Sequence, residues 1–198
     1  MPEGSSSCAY ITVGTGIGVG LVVNGQAVHG LLHPEAGHVV IPAHPSDLTF
    51  LQPDYNIPQG VEANASSGAI AKRVGLDPTV PADRRKLIEL SDDDPVWDTT
   101  AHYLAGLCVN LILIASPEKI VFGGGVMKRD CLFPKIRTAV REMLNRYVQV
   151  DQILTEKIDE YIVSSDFGND AGLIGACFSI VLCCFFYRFL CYFRAQND

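Results

Sequence analysis

Two β-rich runs joined by a glycine-rich turn constrain the fold of this chain more than any other feature. Residues 9–23 read AYITVGTGIGVGLVV, and strands are predicted at Tyr10–Val13 and Val19–Val23. Asn24-Gly25 follows at once, and this dipeptide favours a tight hairpin because both residues tolerate a positive φ. A third strand is predicted over Gln26–Gly30. The chain therefore begins with an antiparallel three-stranded meander.

Helices and short strands alternate along the rest of the chain. Further strands are predicted at Val39–Pro42, Lys119–Phe122 and Ile158–Ser164. Helical spacing of apolar residues and capping signals predict helices at Ala65–Val74 (capped by Ser66 or Ser67), Asp83–Leu90, Trp97–Ala115 and Leu132–Leu144, and the start of another at Asp170–Ala176. Asp92–Asp94 is interpreted as a solvated loop that caps the next helix. The order of elements indicates an α/β fold, with helices against a mixed sheet.

The composition excludes several classes of protein. With 198 residues, 48% of them apolar, the chain can bury a sizeable core, and a net charge of −7 argues against a nucleic-acid partner. The seven cysteines form no paired CxxC motifs, which excludes a zinc ribbon, and their irregular spacing favours reduced thiols in a cytoplasmic protein. Residues 173–193 are almost entirely apolar. A core helix with an extension, a membrane anchor and a non-native tail all remain open for them.

Two glycine turns can hold an anionic ligand. Gly14-Thr15-Gly16 lies between antiparallel strands, and Gly123-Gly124-Gly125 follows a buried strand. Glycines let backbone N–H groups approach phosphate oxygens, and Thr15 adds a hydroxyl donor. The first turn is neither a Walker A loop, since no GK[ST] follows, nor a Rossmann fingerprint, since it leads into a strand. Each turn alone also fits an ordinary tight turn. Together, in this order, they indicate a nucleotide cleft.

Carboxylates and an imidazole in the loops suit a polyhydroxylated ligand. Glu35 and His38 belong to the sequence HPEAGH, and Glu62 follows a loop. Each can accept or donate hydrogen bonds to sugar hydroxyls. An ordinary capping network is the alternative, and a metal site is another. The histidines available for such a metal site are His29, His33, His38 and His44, but their spacing matches no standard zinc pattern.

The remaining polar candidates have simple structural interpretations. His102 is interpreted as a surface or hydrogen-bonded residue, and Cys108 as a small core residue. Asp166 and Asp170 are interpreted as loop and helix-capping groups.

Taken together, the motifs resemble the ROK family of sugar kinases, within the actin-like ATPase (ribonuclease H-like) fold. The resemblance runs from about Tyr10 to about Ala176 and rests on YITVGTGIGVG, HPEAGH, VEANASSGAIAKR, LILIASPEKIVFGGGVM and DAGLIGA, in family order. HPEAGH and FGGGVM resemble the bacterial-type fructokinase branch. The implied organisation is a short leader (1–8), the C-terminal lobe of a ROK-type sugar kinase (9–178) and an apolar tail rich in Cys and Phe (179–198). A membrane partner is expected only if that tail is native.

The resemblance implies roles for the motif residues. Gly14, Thr15 and Gly16 would lie at the ATP phosphates, Gly123–Gly125 near the adenosine, and Glu35, His38 and Glu62 at the sugar hydroxyls. The reaction would be in-line transfer of the γ-phosphoryl group of Mg-ATP to a hexose, fructose before others, by a cytoplasmic protein that can form homodimers.

This chain departs from the family pattern in two places. The family's zinc site joins the histidine of the GH pair to cysteines, or cysteines and a histidine, just before the sugar-binding glutamate. Residues 52–60 hold neither residue type. We therefore expect no zinc and a less rigid loop before Glu62. The family's catalytic aspartate lies in an N-terminal lobe that the chain does not match, so no catalytic base is predicted here. A non-catalytic sugar- or nucleotide-binding module is the alternative function.

Overall fold

The computed structural model describes residues 5–48, 50 and 57–166. The chain divides into a unit ending at Ser164 and a second unit from Ser165 onward, and every strand and helix named below belongs to the first. The predicted helix start at Asp170–Ala176 and the apolar tail lie outside the described residues.

A five-stranded mixed sheet organises the first unit, in the order β3-β2-β1-β4-β5. Its strands are β1 (Cys8–Val13), β2 (Ile17–Val23), β3 (Gln26–Ala27), β4 (Lys119–Gly123) and β5 (Ile162–Ser164). The pairs β1–β2 and β2–β3 are antiparallel, whereas β4 runs parallel to both β1 and β5. The expected α/β fold with a mixed sheet and a meander is confirmed.

Alternating side chains make β1 the central strand. Ala9, Ile11 and Val13 are completely buried, as the two-residue period of a strand with one core face requires. The hairpin to β3 turns at Asn24 and Gly25, whose φ angles of 51° and 75° confirm the predicted turn.

The helices are α1 (Val61–Ala65), α2 (Ser67–Arg73), α3 (Pro81–Glu89), α4 (Val96–Ala115), α5 (Leu132–Leu144), α6 (Asp151–Leu154) and α7 (Ile158–Tyr161). α4 is long and apolar enough to cross a membrane, but most of it is buried, and it packs against α5, α1 and α2. It is therefore a core helix. It ends at Ala115, and Ser116, which has a left-handed backbone, follows it immediately before the predicted stop at Pro117.

Two of the predicted strands are shorter than expected. The third strand is only Gln26–Ala27 and not Gln26–Gly30, because it forms an exposed edge and Gly30 offers no side chain to pack. Val39–Pro42 forms a single bridge, Val40 with Gly60, and Pro42 has no N–H to extend it.

The other differences concern helices. Ile158–Ser164 is not one strand, because its first four residues form α7, whose Ile158 and Tyr161 are buried three residues apart on one helical face. The predicted helix Ala65–Val74 is present as α2 (Ser67–Arg73), but it begins two residues later, because Ser66 is extended and Ala65 is the last residue of α1, a short helix that the sequence did not predict. Ser66 caps α2 as expected, with its Oγ accepting from the Ala69 N–H. The short helix α6 had no sequence prediction.

Candidate functional site

The two glycine turns meet at one cavity. β1 and β4 are adjacent and parallel, so their carboxyl ends lie at the same edge of the sheet, where α/β folds commonly bind ligands. Gly14 and Thr15 leave β1, Gly125 follows β4, and all three line a cavity of about 920 Å³. We call it the glycine-lined cavity. Its volume lies in the range of sites that bind small molecules and cofactors.

Gly123 and Gly124 do not line this cavity, and they pack the turn against β1 instead. Gly124 has a φ of 94°, and a Cβ there would lie 2.7 Å from Val13 N and closer still to the Val13 carbonyl oxygen. A Cβ at Gly123 would overlap the Tyr10 hydroxyl. Gly124 therefore requires glycine, whereas a Cβ at Gly123 would displace the Tyr10 side chain. Of the three glycines, Gly125 is the one that lines the cavity.

The opposite wall of the cavity comes from α3 and the segment after β4. Arg84, Leu87 and Ile88 share one face of α3, and Lys128 joins them from the segment after β4. The sequence predicted α3 only as a short surface helix. The signal that could have marked it is Ile88, an apolar residue that remains 76% exposed beside the cavity.

Arg129 fixes the position of that wall. Its guanidinium donates to the carbonyls of Ile88 (2.7 Å) and Leu90 (2.8 Å), pairs with the Asp92 carboxylate and lies 4.3 Å from the Trp97 ring centroid. Because these partners are the C-terminal end of α3 and the start of α4, Arg129 ties both to the turn after β4. Asp92 pairs with Arg129 and lines the cavity, yet its side chain remains 63% exposed, so the predicted solvated loop is confirmed.

The helix cap predicted in the same acidic run is present. Asp94 accepts from the Val96 N–H (2.9 Å) at the start of α4. This part of the prediction is confirmed.

Glu62 reaches the same glycine turn from the other side. It lies in the first turn of α1, and its Oε2 accepts from the Ile17 N–H (2.8 Å). A Cβ at Gly16 would lie 2.9 Å from that oxygen, so Gly16 leaves room for the carboxylate. Gly14–Ile17 therefore contacts the glycine-lined cavity at one end and Glu62 at the other.

The HPEAGH segment packs beside Glu62. Ala36–His38 forms a 3₁₀ turn, and a Cβ at Gly37 would overlap the carbonyl oxygen of Ile17, so this close approach also requires glycine. Val61 donates to the Val39 carbonyl (3.0 Å), which joins the turn to the start of α1. Glu35, His38 and Glu62 therefore lie on segments that all adjoin Ile17.

Glu35 and His38 keep solvent-facing surface for a ligand. Glu35 Oε2 lies 3.9 Å from His38 Nε2, and Glu35 Oε1 lies 3.3 Å from His33 Nδ1. The side chains of Glu35 and His38 remain 59% and 30% exposed. We call Glu35, His38 and Glu62, which lie on these neighbouring segments, the carboxylate–histidine cluster. Glu35 and His38 can accept and donate hydrogen bonds at a surface that water reaches.

The other candidate residues have local partners. His102 Nε2 lies 2.8 Å from the Pro42 carbonyl oxygen, and its ring contacts His44, whose Nδ1 lies 2.6 Å from Ser46 Oγ. Cys108 is completely buried, and burial raises the pKa of its thiol. Both interpretations are confirmed. Across residues 5–48, 50 and 57–166, no three His, Cys, Asp or Glu side chains gather as metal ligands. The expected loss of zinc stays a prediction.

Sequence comparisons give the family. The model described as the ROK family matches residues 2–181. The chain is 38% identical over 176 residues to a fructokinase of Zymomonas mobilis, covering 88% of this chain and 54% of that protein. It is 34% identical over 167 residues to a fructokinase of Pediococcus pentosaceus, covering 84% and 52%. The chain spans about half the length of the curated relatives it matches.

Solved structures show the fold. A ROK hexokinase from Thermus thermophilus superposes with a TM-score of 0.66 at 23% identity, covering 89% of this chain and 57% of that one. A ROK glucokinase from Streptomyces griseus, in complex with glucose and AMPPNP, gives a TM-score of 0.59 at 22% identity, covering 89% and 61%. The chain therefore belongs to the ROK family, and its mixed sheet with flanking helices has the actin-like ATPase fold of ROK sugar kinases.

Proposed function

We propose that this chain takes part in the ATP-dependent phosphorylation of a hexose, and that the hexose is fructose. The observation that carries the proposal is the position of Gly14–Ile17 between the glycine-lined cavity and Glu62. A kinase needs the phosphate donor and the acceptor hydroxyl side by side, because in-line transfer depends on positioning. A four-residue turn that borders both sites supplies this proximity.

The residues of the nucleotide side fit a phosphate ester. Gly14 has open space beside its Cα, and Thr15 can add a hydroxyl donor to the backbone N–H groups around Gly16. Gly123–Gly125 would lie near the adenosine, with Gly125 open to it. Arg84 and Lys128 bring positive charge to the cavity wall. Mg-ATP would supply the γ-phosphoryl group and the metal charge that offsets its oxygens.

The carboxylate–histidine cluster would hold the sugar. Glu35 and Glu62 accept hydrogen bonds from hydroxyl groups, and His38 can donate or accept one. Several such contacts in a fixed pattern would orient one hydroxyl towards the phosphate. In this proposal these residues bind and orient both substrates, and the proton acceptor would come from the N-terminal lobe of the family.

The relatives support this assignment. Those of 34–38% identity named above are fructokinases, and the Streptomyces griseus structure contains a hexose and an ATP analogue. Fructose is proposed because of the fructokinase relatives and the resemblance of HPEAGH and FGGGVM to that branch. A cytoplasmic location and a homodimer belong to the same proposal.

Calorimetry and a turnover assay test it together. We expect the purified chain to bind AMPPNP and fructose, and Glu62→Gln to weaken fructose binding about tenfold or more while AMPPNP binding is kept, since one charge-assisted hydrogen bond is lost. If the wild-type chain binds neither AMPPNP nor fructose, the proposal is contradicted. Binding of both with no phosphorylation of fructose, even beside an added N-terminal lobe, would favour the non-catalytic module.

A further inference from the structure

We propose that Arg73 and Asp47 are positioning residues, which hold the helix of Glu62 in place through a buried hydrogen-bond network. Neither residue touches the cluster directly. The proposal deepens the proposed function, on which it rests for the role of Glu62 in sugar binding. Its geometric part, that Arg73 and Asp47 set the position of Glu62, can be tested without any ligand.

The centre of the network is a buried bidentate ion pair. Arg73 Nε donates to Asp47 Oδ1 (2.9 Å), and Arg73 Nη2 donates to Asp47 Oδ2 (2.6 Å). The two side chains are only 8% and 7% exposed. Charges this deeply buried are costly unless both are paired and hydrogen-bonded, so their geometry is fixed by their partners.

Arg73 also binds α1. Its Nη1 donates to the carbonyl of Asn64, the residue two positions after Glu62. The Asn64 side chain in turn donates to the carbonyls of Pro58 (3.1 Å) and Gly60 (2.9 Å), which precede α1. The guanidinium therefore binds the C-terminal part of the five-residue helix, and the Asn64 side chain binds the residues before its start. Both contacts matter because so short a helix is unstable alone.

Asp47 is fixed from a third direction. The Tyr103 hydroxyl of α4 donates to Asp47 Oδ2 (2.7 Å), and the Arg73 guanidinium lies 4.0 Å from the Phe50 ring centroid. The network therefore anchors α1 and α2 to the core helix α4.

This network gives residues 57–60, the described part of the segment before Glu62, a defined geometry. Residues 57–60 carry no histidine, cysteine or carboxylate, so they offer no typical zinc ligand. The groups that do contact this segment are the side-chain amide of Asn64 and, through it, the Arg73 guanidinium, whose N–H groups are donors and cannot bind a cation. The residues present do not fit the zinc site of the family.

Hydrogen exchange of the Ile17 amide measures the position of Glu62, because this N–H is hydrogen-bonded to the Glu62 carboxylate. We would measure its hydrogen exchange by NMR in the full chain. The double variant Asp47→Asn/Arg73→Met removes both charges together and leaves no single charge buried. We expect exchange of the Ile17 amide to become about tenfold faster, because loss of the network favours local opening of the structure. The rate should approach that of the Glu62→Ala variant.

A matched control separates positioning from general stability. Arg137 is also largely buried, donates to the Ile162 carbonyl (2.7 Å) and pairs with Asp159 (3.0 Å), but it does so at β5, the far edge of the sheet from β2. Arg137→Met should leave Ile17 exchange unchanged after correction for global stability. Equal acceleration of Ile17 in both variants, or none in the double variant, would overturn the proposal.

Tyr103→Phe covers the case in which the double variant does not fold, because it keeps both charges and removes one hydrogen bond. We expect Ile17 exchange to rise about threefold in this variant, since one neutral tie to Asp47 is lost. No change there would also overturn the proposal. Calorimetry with fructose on the same samples tests the proposed function separately from the positioning role. If wild type binds no fructose but Ile17 exchange responds as expected, the proposed function fails and the positioning role stands.

Discussion

The glycine-lined cavity and the carboxylate–histidine cluster share the turn Gly14–Ile17, yet they are built differently. The cavity forms where two parallel strands end, and its shape depends on close backbone contacts such as Gly124 against Val13. The cluster lies on short segments outside the sheet, and its position depends on hydrogen bonds from buried side chains such as Arg73. Substitutions should therefore disrupt the cavity, the first region, when they create steric overlap, and disrupt the cluster, the second region, when they remove a charge or hydrogen bonds.

The largest effect is expected at Gly124. Gly124→Ala puts a Cβ into Val13 at a φ of 94°, and since backbone cannot move aside, we expect a loss of about 4 kcal/mol or more in the free energy of unfolding. Gly125→Ala is the matched control, because its φ and ψ are helical and its Cβ would meet open space. Denaturant unfolding of both variants measures the difference, and equal stability would remove the steric account of the cavity.

Arg73→Met should come next in size. It leaves the Asp47 carboxylate buried without its ion-pair partner, which costs about 3 kcal/mol in the free energy of unfolding. Adding Asp47→Asn should restore part of that loss, because the unpaired charge disappears. A double-mutant cycle by urea denaturation gives the coupling between the two residues. Additive losses would show that the ion pair does not hold the second region together.

Arg129→Met should weaken the wall of the cavity more than the fold. It removes the donors to the Ile88 and Leu90 carbonyls and the contact with the Trp97 ring, for about 2 kcal/mol of stability. AMPPNP affinity measured by calorimetry should fall, whereas exchange of the Ile17 amide should stay as in the wild type. An effect on Ile17 as large as that of Arg73→Met would mean that the two regions are not independent.

The smallest effect is the contribution of Tyr103, in the second region, to the pH dependence of stability. Burial, together with the hydrogen bond to Asp47, raises the pKa of Tyr103 to about 12, against about 10 for a tyrosine in an unfolded chain. As pH rises from 10 to 12 the unfolded state gives up this proton first, so the free energy of unfolding falls. Tyr103→Phe should flatten that slope. Some slope remains, because burial also raises the pKa of Tyr161. An unchanged slope in the variant would contradict this assignment.

The two regions also differ in how far the sequence predicts them. β1, the Asn24-Gly25 turn and α4 follow from local signals, because alternation, a hairpin dipeptide and helical spacing each act over a few neighbours. These elements bring the two glycine turns to one edge of the sheet. The Ile17–Glu62 hydrogen bond joins residues 45 positions apart, and the Arg73–Asp47 pair joins residues 26 apart. No periodicity encodes either contact.

The role of α3 could not be predicted for a related reason. Its sequence is that of an exposed helix, and none of its residues is buried. It becomes a cavity wall only because Arg129, about forty positions later in the chain, binds the carbonyls at its C-terminal end. The prediction of a strand over Ile158–Ser164 was wrong in its first half, which forms α7. Apolar residues at both ends of a four-residue segment fit a helical turn as well as a strand.

Backbone amide shifts during titration with AMPPNP and then fructose test the central claim most directly, because the amides of Gly14 and Ile17 report on the two ends of the shared turn. We expect AMPPNP to shift the amides of Gly14, Thr15 and Gly125, and fructose to shift those of Ile17 and of the α1 residues around Glu62. Fructose shifts confined to residues away from Ile17, or AMPPNP shifts that leave both glycine turns unchanged, would contradict the claim that these two neighbouring regions bind the two substrates.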